Sequence, residues 1–392
     1  MKHLLIKNAH IKTMADQDYE NGYVVVIDNK IAKIGDMSTA PTSNDEFDEV
    51  IDATGRLLFP GIIDAHCHVG MWEDSLGFEG ADGNEETDPI TPQLRAIDAI
   101  NPFDRCISDA RRAGITTLVT GPGSANIVGG QFAAIKTAGH SIDDMIVKAP
   151  VAMKFALGEN PKTVYHDKKK SPMTRMATAA TLREFLFKSK KYWQQKKKHD
   201  ENPEKHKNPE FSFKYEAMLD VICGKLPVKI HAHRADDICT AIRIGREFSL
   251  DFTIEHATEG HLICDILKEN HVDVMLGPTM SERSKPELRN MSYDTYKILD
   301  EAGLSVAIIT DHPVIPIEYL PVCAALAVKN GLSHESALRA LTINAAKNCR
   351  IDQFVGSIEV GKDADMSLFS GDVLDIYSKP DVVMVSGEVF YY

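Results

Sequence analysis

The chain has 392 residues, 43% hydrophobic and 26% charged, ordinary proportions for a globular protein whose core needs no disulfide staples. A formal charge of -13 argues against nucleic acid and anionic membrane as general partners. Seven scattered cysteines with no CxxC pair point to reduced thiols in a cytoplasmic setting, and no apolar run approaches the roughly 20 residues of a membrane span.

The amino-terminal stretch MKHLLIKNAHIKTM breaks its apolar run at Lys7, unlike a secretory signal. Through residues 1–56, LLIKNAHIKT, Tyr23–Ile27 and Ile31–Gly35 predict strands joined by tight hairpins. Ala364–Phe369 and Val382–Phe390 repeat that texture, so residues 1–56 and 360–392 are expected to build one small β-sandwich domain. Between them, residues 57–359 alternate strand-like runs (116–120, 149–157, 228–231, 252–255, 272–276, 305–310) with helical spacing (104–113, 239–248, 333–348). That rhythm favours a parallel sheet and, at this length, a closed (β/α)8 TIM-type barrel. Two long connections interrupt it, an acidic one at 71–103 and a charged, helix-containing one at 160–215. Long loops in compact domains are commonly lids or binding loops. The basic run KSKKYWQQKKK, 188–198, reads as a solvated helix face.

In a β/α barrel the chemistry sits where strands end, at the carboxyl face. The apolar run Leu57–Ile63 leads into DAHCH, Asp64 to His68. With a period of two, Asp64, His66 and His68 share one side and Cys67 points away. Later strands end in His231-Ala-His233-Arg234, in His256 and in Asp311-His312. One strand-end histidine is an ordinary structural residue. Four strands ending this way gather imidazoles and a carboxylate at one rim, a donor set for zinc, and also for manganese, iron or nickel.

This order resembles the amidohydrolase superfamily of metal-dependent hydrolases, over nearly the whole chain. GRLLFPGIIDAHCHVG is similar to that family's first strand, and TINAAKNCRIDQFVGSIEVGKDADMSLF to its return from barrel to β-domain. GGQFAAIKTAG, MKFALGENPK and DGNEETDPITPQLRAIDAINP resemble an imidazolonepropionase-related branch. The resemblance implies His66, His68, His231, His256 and Asp311 as ligands of one or two divalent ions, probed first as Zn2+, with a small-molecule substrate and a homo-oligomer. It also implies a bridging carboxylate on the fourth strand, from a glutamate or a carbamylated lysine. Glu159 is preferred, because it stands at the expected strand end before Asn160-Pro161. Lys154, five residues earlier, would lie deeper and would need carbon dioxide, since an ammonium cannot bind a cation.

The implied reaction is hydrolysis of a carbon–nitrogen bond, in an amide or cyclic amide rather than a peptide, by metal-activated water with Asp311 as base and then acid. His233 is expected to donate to the carbonyl oxygen, or merely to cap its strand. Arg234 is a candidate partner for a substrate carboxylate, with Asp236 or Asp237 as the alternative. His261 and His312 read as structural, and Asp82, Glu85 and Glu86 as pocket lining or solvent-facing. A prolidase-like dipeptidase and a deaminase are the rival enzymes. HAHR is similar to the former's fifth strand, whereas Arg234 stands where deaminases of the superfamily commonly carry a glutamate. A non-enzymatic scaffold is disfavoured, because every implied ligand is present. Substrate specificity resides in loops, and these residues do not spell it out.

Overall fold

A computed structural model describes residues 2–73 and 76–392; residues 74 and 75 of the 71–103 connection lie outside the described residues. The chain opens with β1 (His3–Ile11), β2 (Tyr19–Ile27) and β3 (Lys30–Asp36), an antiparallel meander. Asp28, with φ of 53°, makes the tight turn between β2 and β3. β4 (Glu49–Asp52) and β5 (Leu57–Pro60) then pair in parallel with β1.

The carboxyl terminus returns to this sheet. β14 (Met366–Phe369) pairs antiparallel with β5 and with β15 (Pro380–Val385), which pairs with β16 (Glu388–Tyr391). The run expected across 382–390 is therefore two strands, broken at Ser386-Gly387, where both residues have positive φ. Leu4, Ile6, Val24, Val26, Leu58, Met366 and Leu368 pack into one core, and Leu5, Tyr23 and Val25 bury the opposite face. Each fully buried aliphatic side chain of this kind contributes about 1.5–3 kcal/mol.

The second sheet has eight strands in the order in which they follow in the chain: β6 (Ile62–Cys67), β7 (Ile115–Thr120), β8 (Val128–Lys136), β9 (Ile146–Ala156), β10 (Val228–Ala232), β11 (Phe252–His256), β12 (Asp273–Leu276) and β13 (Val306–Ile308). It is nearly closed. After β13, Asp311 N–H donates to the His66 carbonyl and His68 N–H to the His312 carbonyl, at 3.2 and 2.9 Å. The all-parallel eightfold barrel expected from the sequence is corrected at β8, which runs antiparallel to both neighbours. The connections on either side of β8 hold only the four-residue helix Ile142–Met145, whereas a parallel return needs a crossover of about a dozen residues or more.

Gly61 carries the chain from β5 to β6, and a Cβ there would overlap the Thr116 side chain. Inside the barrel, Ile63, Ala65, Val119, Phe132, Met275 and Ala307 pack with Ala345 and Ala346 of the helix Ile343–Asn348. The other face of the strands joins the largest core with the surrounding helices. Within 160–215 the main element is the helix Arg175–Glu201, which buries Leu182, Phe185, Leu186 and Tyr192. The 71–103 connection lies against β8 through bridges Ile90 to Val128 and Arg95 to Gln131. Among the described residues no helix is long and apolar enough to cross a membrane, and none of the seven cysteines is joined in a disulfide.

Candidate metal centre

Strand ends deliver the ligands. His66 and His68 leave β6 buried, His231 ends near the close of β10, and His256 terminates β11. Alternation along β11 turns Glu255 into the barrel and would send His256 outward. Positive φ at His256 (74°) and Ala257 (43°) swings the imidazole back, and φ of 54° at Asp311 similarly marks a left-handed turn after β13.

Two groups of potential ligand atoms result. His66, His68 and Asp311 form one, and His231, His233 and His256 the other, each with its atoms within 4.8 Å of one another. The rings of His66 and His256, one from each group, lie 5.3 Å apart. Asp311 Oδ1 is 3.1 Å from His68 Nε2 and 3.6 Å from His66 Nε2. Burial pushes the Asp311 carboxyl up, but His256, His68 and Lys154 hold it down at about 2. Burial, with neighbouring lysines and histidines, pushes His66, His231, His233 and His256 well below the usual histidine value, which favours the neutral imidazole.

The outward nitrogens fit metal binding. Nδ1 of His68 donates to the Gly121 carbonyl (2.7 Å) and Nδ1 of His256 to the Gly277 carbonyl (2.8 Å), which leaves each Nε2 as a lone pair. His66 Nδ1 lies 2.5 Å from the fully buried Glu255 carboxylate, which also takes Lys229 Nζ (3.0 Å) and the Thr253 hydroxyl (2.5 Å). His231 Nδ1 is buried with no hydrogen-bond partner, an orphan of the kind a coordinated ion satisfies.

The bridging position calls for a correction to the preferred candidate. Glu159 does not end the strand. β9 stops at Ala156, Gly158 turns the chain with φ of 82°, and Glu159 opens the helix Glu159–Asp167. Its backbone N–H donates to Glu287, and its carboxylate belongs to neither ligand group. Lys154 is the fourth-strand residue at the centre, fully buried, with Nζ 3.1 Å from His66 Nε2. Burial brings its ammonium down to about 8 against the pull of Glu255 and Asp311.

His233 stands within the second histidine group, its Nδ1 2.7 Å from the Thr258 hydroxyl. Arg234 goes to the alternative partner. Its Nε and Nη2 bond both oxygens of Asp236 at 2.9 and 2.8 Å, so the guanidinium is occupied away from the cage. Asp64 likewise turns from the ligands to bind Thr310 and the His66 backbone, and burial raises its carboxyl to about 7.

Several neighbours were not foreseen. Lys229 was legible, two residues before His231 on an otherwise apolar strand. Glu287, Lys285 and Asn160 had no local signal. Glu287 Oε1 is 3.6 Å from His233 Nε2 and 2.6 Å from Lys285 Nζ, and Lys285 donates to Asn160 Oδ1 at 2.9 Å. Trp72 sets its ring 5.0 Å from that of His68 and helps wall a cavity of about 1320 Å³ that Asp82, Glu85 and Glu86 also line.

Residues 57–390 match the amidohydrolase family. The amidohydrolase tasK of Hapsidospora irregularis is 28% identical over 95% of this chain, which spans only 39% of that protein's length. An adenine deaminase of Listeria welshimeri is 23% identical over 93% of this chain and 53% of its own length. The crystal structure of an amidohydrolase from Thermotoga maritima MSB8 superposes with a TM-score of 0.94 at 40% identity, covering 99% of this chain and all of the other.

Proposed function

The chain belongs to the amidohydrolase family, and from that premise we propose that it is a metal-dependent hydrolase of a carbon–nitrogen bond in a small-molecule amide or cyclic amide. The observation that carries the reading is the pair of three-residue groups of potential ligands, with the buried Lys154 placing its Nζ 3.1 Å from His66 Nε2. Five of these donors, His66, His68, His231, His256 and Asp311, suit one or two divalent cations, with zinc as the first choice, and His233 is left for the substrate. An ammonium among them would repel metal, so Lys154 would help to hold the ions as its carbamate, formed with carbon dioxide, in the place first sought for Glu159.

Bound metal would supply a Lewis acid for the carbonyl and acidify water. The residues do the rest. Asp311 is ionised, and its side chain is 17% exposed while His66 beside it is fully buried, so it is the group that meets an incoming water. It accepts the water's proton and hands it to the leaving nitrogen. His233 stands beside the reacting carbonyl, with Thr258 fixing the ring. Arg234, tied to Asp236, leaves no proton shuttle at the position where deaminases of the superfamily carry a glutamate, which favours amide hydrolysis over deamination.

The test is metal analysis of the purified chain together with a screen of N-acyl amines, cyclic amides and dipeptides. Asp311→Asn is expected to retain metal while turnover drops about 10²- to 10⁴-fold. A variant that keeps full turnover removes Asp311 from the chemistry, and a chain that binds no zinc at all removes the reading.

A further inference from the structure

Arg234 was the residue in the sequence best suited to a substrate carboxylate, and Asp236 occupies it. A different cation stands at the cage. Lys285 lies in the segment after β12, extended at φ -142° and ψ 156°, with Pro286 opening the short 3-10 turn Pro286–Leu288 behind it. Its Nζ is 2.6 Å from Glu287 Oε1 and donates to Asn160 Oδ1.

Both partners touch the histidines. Glu287 Oε1 lies 3.9 Å from His231 Nε2 and 3.6 Å from His233 Nε2, and Asn160 Nδ2 lies 3.5 Å from His231 Nε2. One carboxylate oxygen therefore separates the ammonium from the second ligand group. Three lysines stand near the histidines of the two groups, Lys154 and Lys229 by His66 and Lys285 by His231 and His233. Lys154 and Lys229 are sealed in the barrel, whereas the Lys285 side chain is 27% exposed. It is the lysine of the three that an entering solute can reach.

An ammonium carries three hydrogens; Asn160 Oδ1 accepts one of them, and Glu287 Oε1 pairs with the charge at 2.6 Å. Both partners are fixed before any ligand arrives. Glu287 is fully buried and also accepts from the Glu159 N–H, and Asn160 is held by the Ser124 hydroxyl at 2.7 Å. The lysine is thus ordered by folding, so a ligand need not order it on binding. Glu287 balances its charge, so the pair is neutral before an anion arrives.

Resting on the hydrolase reading above, we propose that Lys285 anchors a carboxylate placed next to the bond that is cleaved, so that the substrates are amides of the N-acyl amino acid class. A further hydrogen of Nζ is donated to that carboxylate while the amide carbonyl lies over His231 and His233. Loss of such a charged hydrogen bond weakens binding by roughly 10- to 100-fold.

The experiment uses the full chain loaded with zinc. The probes are N-acetyl-L-amino acids with small, aliphatic, aromatic and basic side chains, each paired with its primary carboxamide. Binding is read by calorimetry and amine release is read separately. The acid of the best pair is expected to bind at least ten-fold more tightly than its carboxamide. Lys285→Met combined with Glu287→Gln removes the ion pair without leaving a lone buried charge, and it should abolish that preference at unchanged zinc content. Lys285→Arg should keep a preference. If the double variant retains the full preference, the zinc or another group holds the carboxylate and the proposal is overturned. It is equally overturned if the wild-type chain binds acid and carboxamide alike, or binds neither. Acid-selective binding with no amine released from any pair leaves Lys285 as the anchor and overturns the hydrolase reading instead.

Discussion

Glu255 ties His66 to the lysine Lys229, and all three side chains are buried. A carboxylate on Nδ1 fixes which nitrogen of His66 bears the proton, where His68 and His256 rely on backbone carbonyls. Burial lowers the Lys229 ammonium's affinity for its proton, while Cys349 and Glu255 raise it further, and the net direction is up. Removing the partner leaves a charge in the barrel floor. Glu255→Leu is therefore expected to destabilise the metal-free chain by about 3–5 kcal/mol, read by urea unfolding, and Glu255→Gln by less because an acceptor remains. A leucine variant as stable as the parent would mean that Lys229 is neutral. At this scale the sequence was half legible. Period-two alternation in VKIHAH puts Lys229 on the His231 face, but in TIEH it forbids two adjacent inward residues, and only the left-handed backbone at His256 allows both. Nothing local connects Glu287 to His231, 56 positions earlier in the chain.

β8 shows why an element can be hidden. GGQFAAIK carries two glycines, which read as a break in a strand, so the stretch registered only as a family likeness. The second glycine, Gly130, serves the loop that crosses it. Gly130 has φ of 129°, and a Cβ there would stand 2.6 Å from the Leu94 carbonyl oxygen, while Gln131 N–H donates to that same oxygen at 2.8 Å. Thr91 N–H likewise donates to the Val128 carbonyl. The cavity-lining connection is thus stitched to β8 along its far end, though its sequence promised only an acidic loop. Gly130→Ala should strain this seam by about 1–3 kcal/mol and expose 71–103 to protease, with new cleavage sites read by mass spectrometry. Unchanged protection together with unchanged stability would show that the loop is held elsewhere.

At the scale of the molecule, the alternating texture of both ends correctly joined them in one sheet, but the contact between that sheet and the barrel depends on charges far apart in sequence. Lys136, the last residue of β8, is buried with its ammonium against Asp365 and 2.8 Å from Asp363, and Lys30 of β3 reaches Asp363 at 2.6 Å. Burial pushes the Asp363 carboxyl up, yet Lys136 and Lys30 outweigh it and hold the group below its ordinary 3.8. The folded state therefore keeps this carboxylate ionised to lower pH than the unfolded chain does. Its contribution is complete above the ordinary carboxyl value and drains away as pH falls through the lower folded value. Lys136→Met takes from Asp365 its ion-pair partner and leaves Asp363 with Lys30 alone, and is expected to cost about 3–5 kcal/mol near neutrality. In that variant the Asp363 carboxyl, with one cation fewer beside it, takes up a proton more readily, which relieves the buried charge. The gap in melting temperature between parent and variant should accordingly narrow as pH drops from 7 toward 4, measured by calorimetry on the metal-free chains. A gap that stays constant over that interval would mean that Lys136 acts by packing its aliphatic stem rather than by its charge.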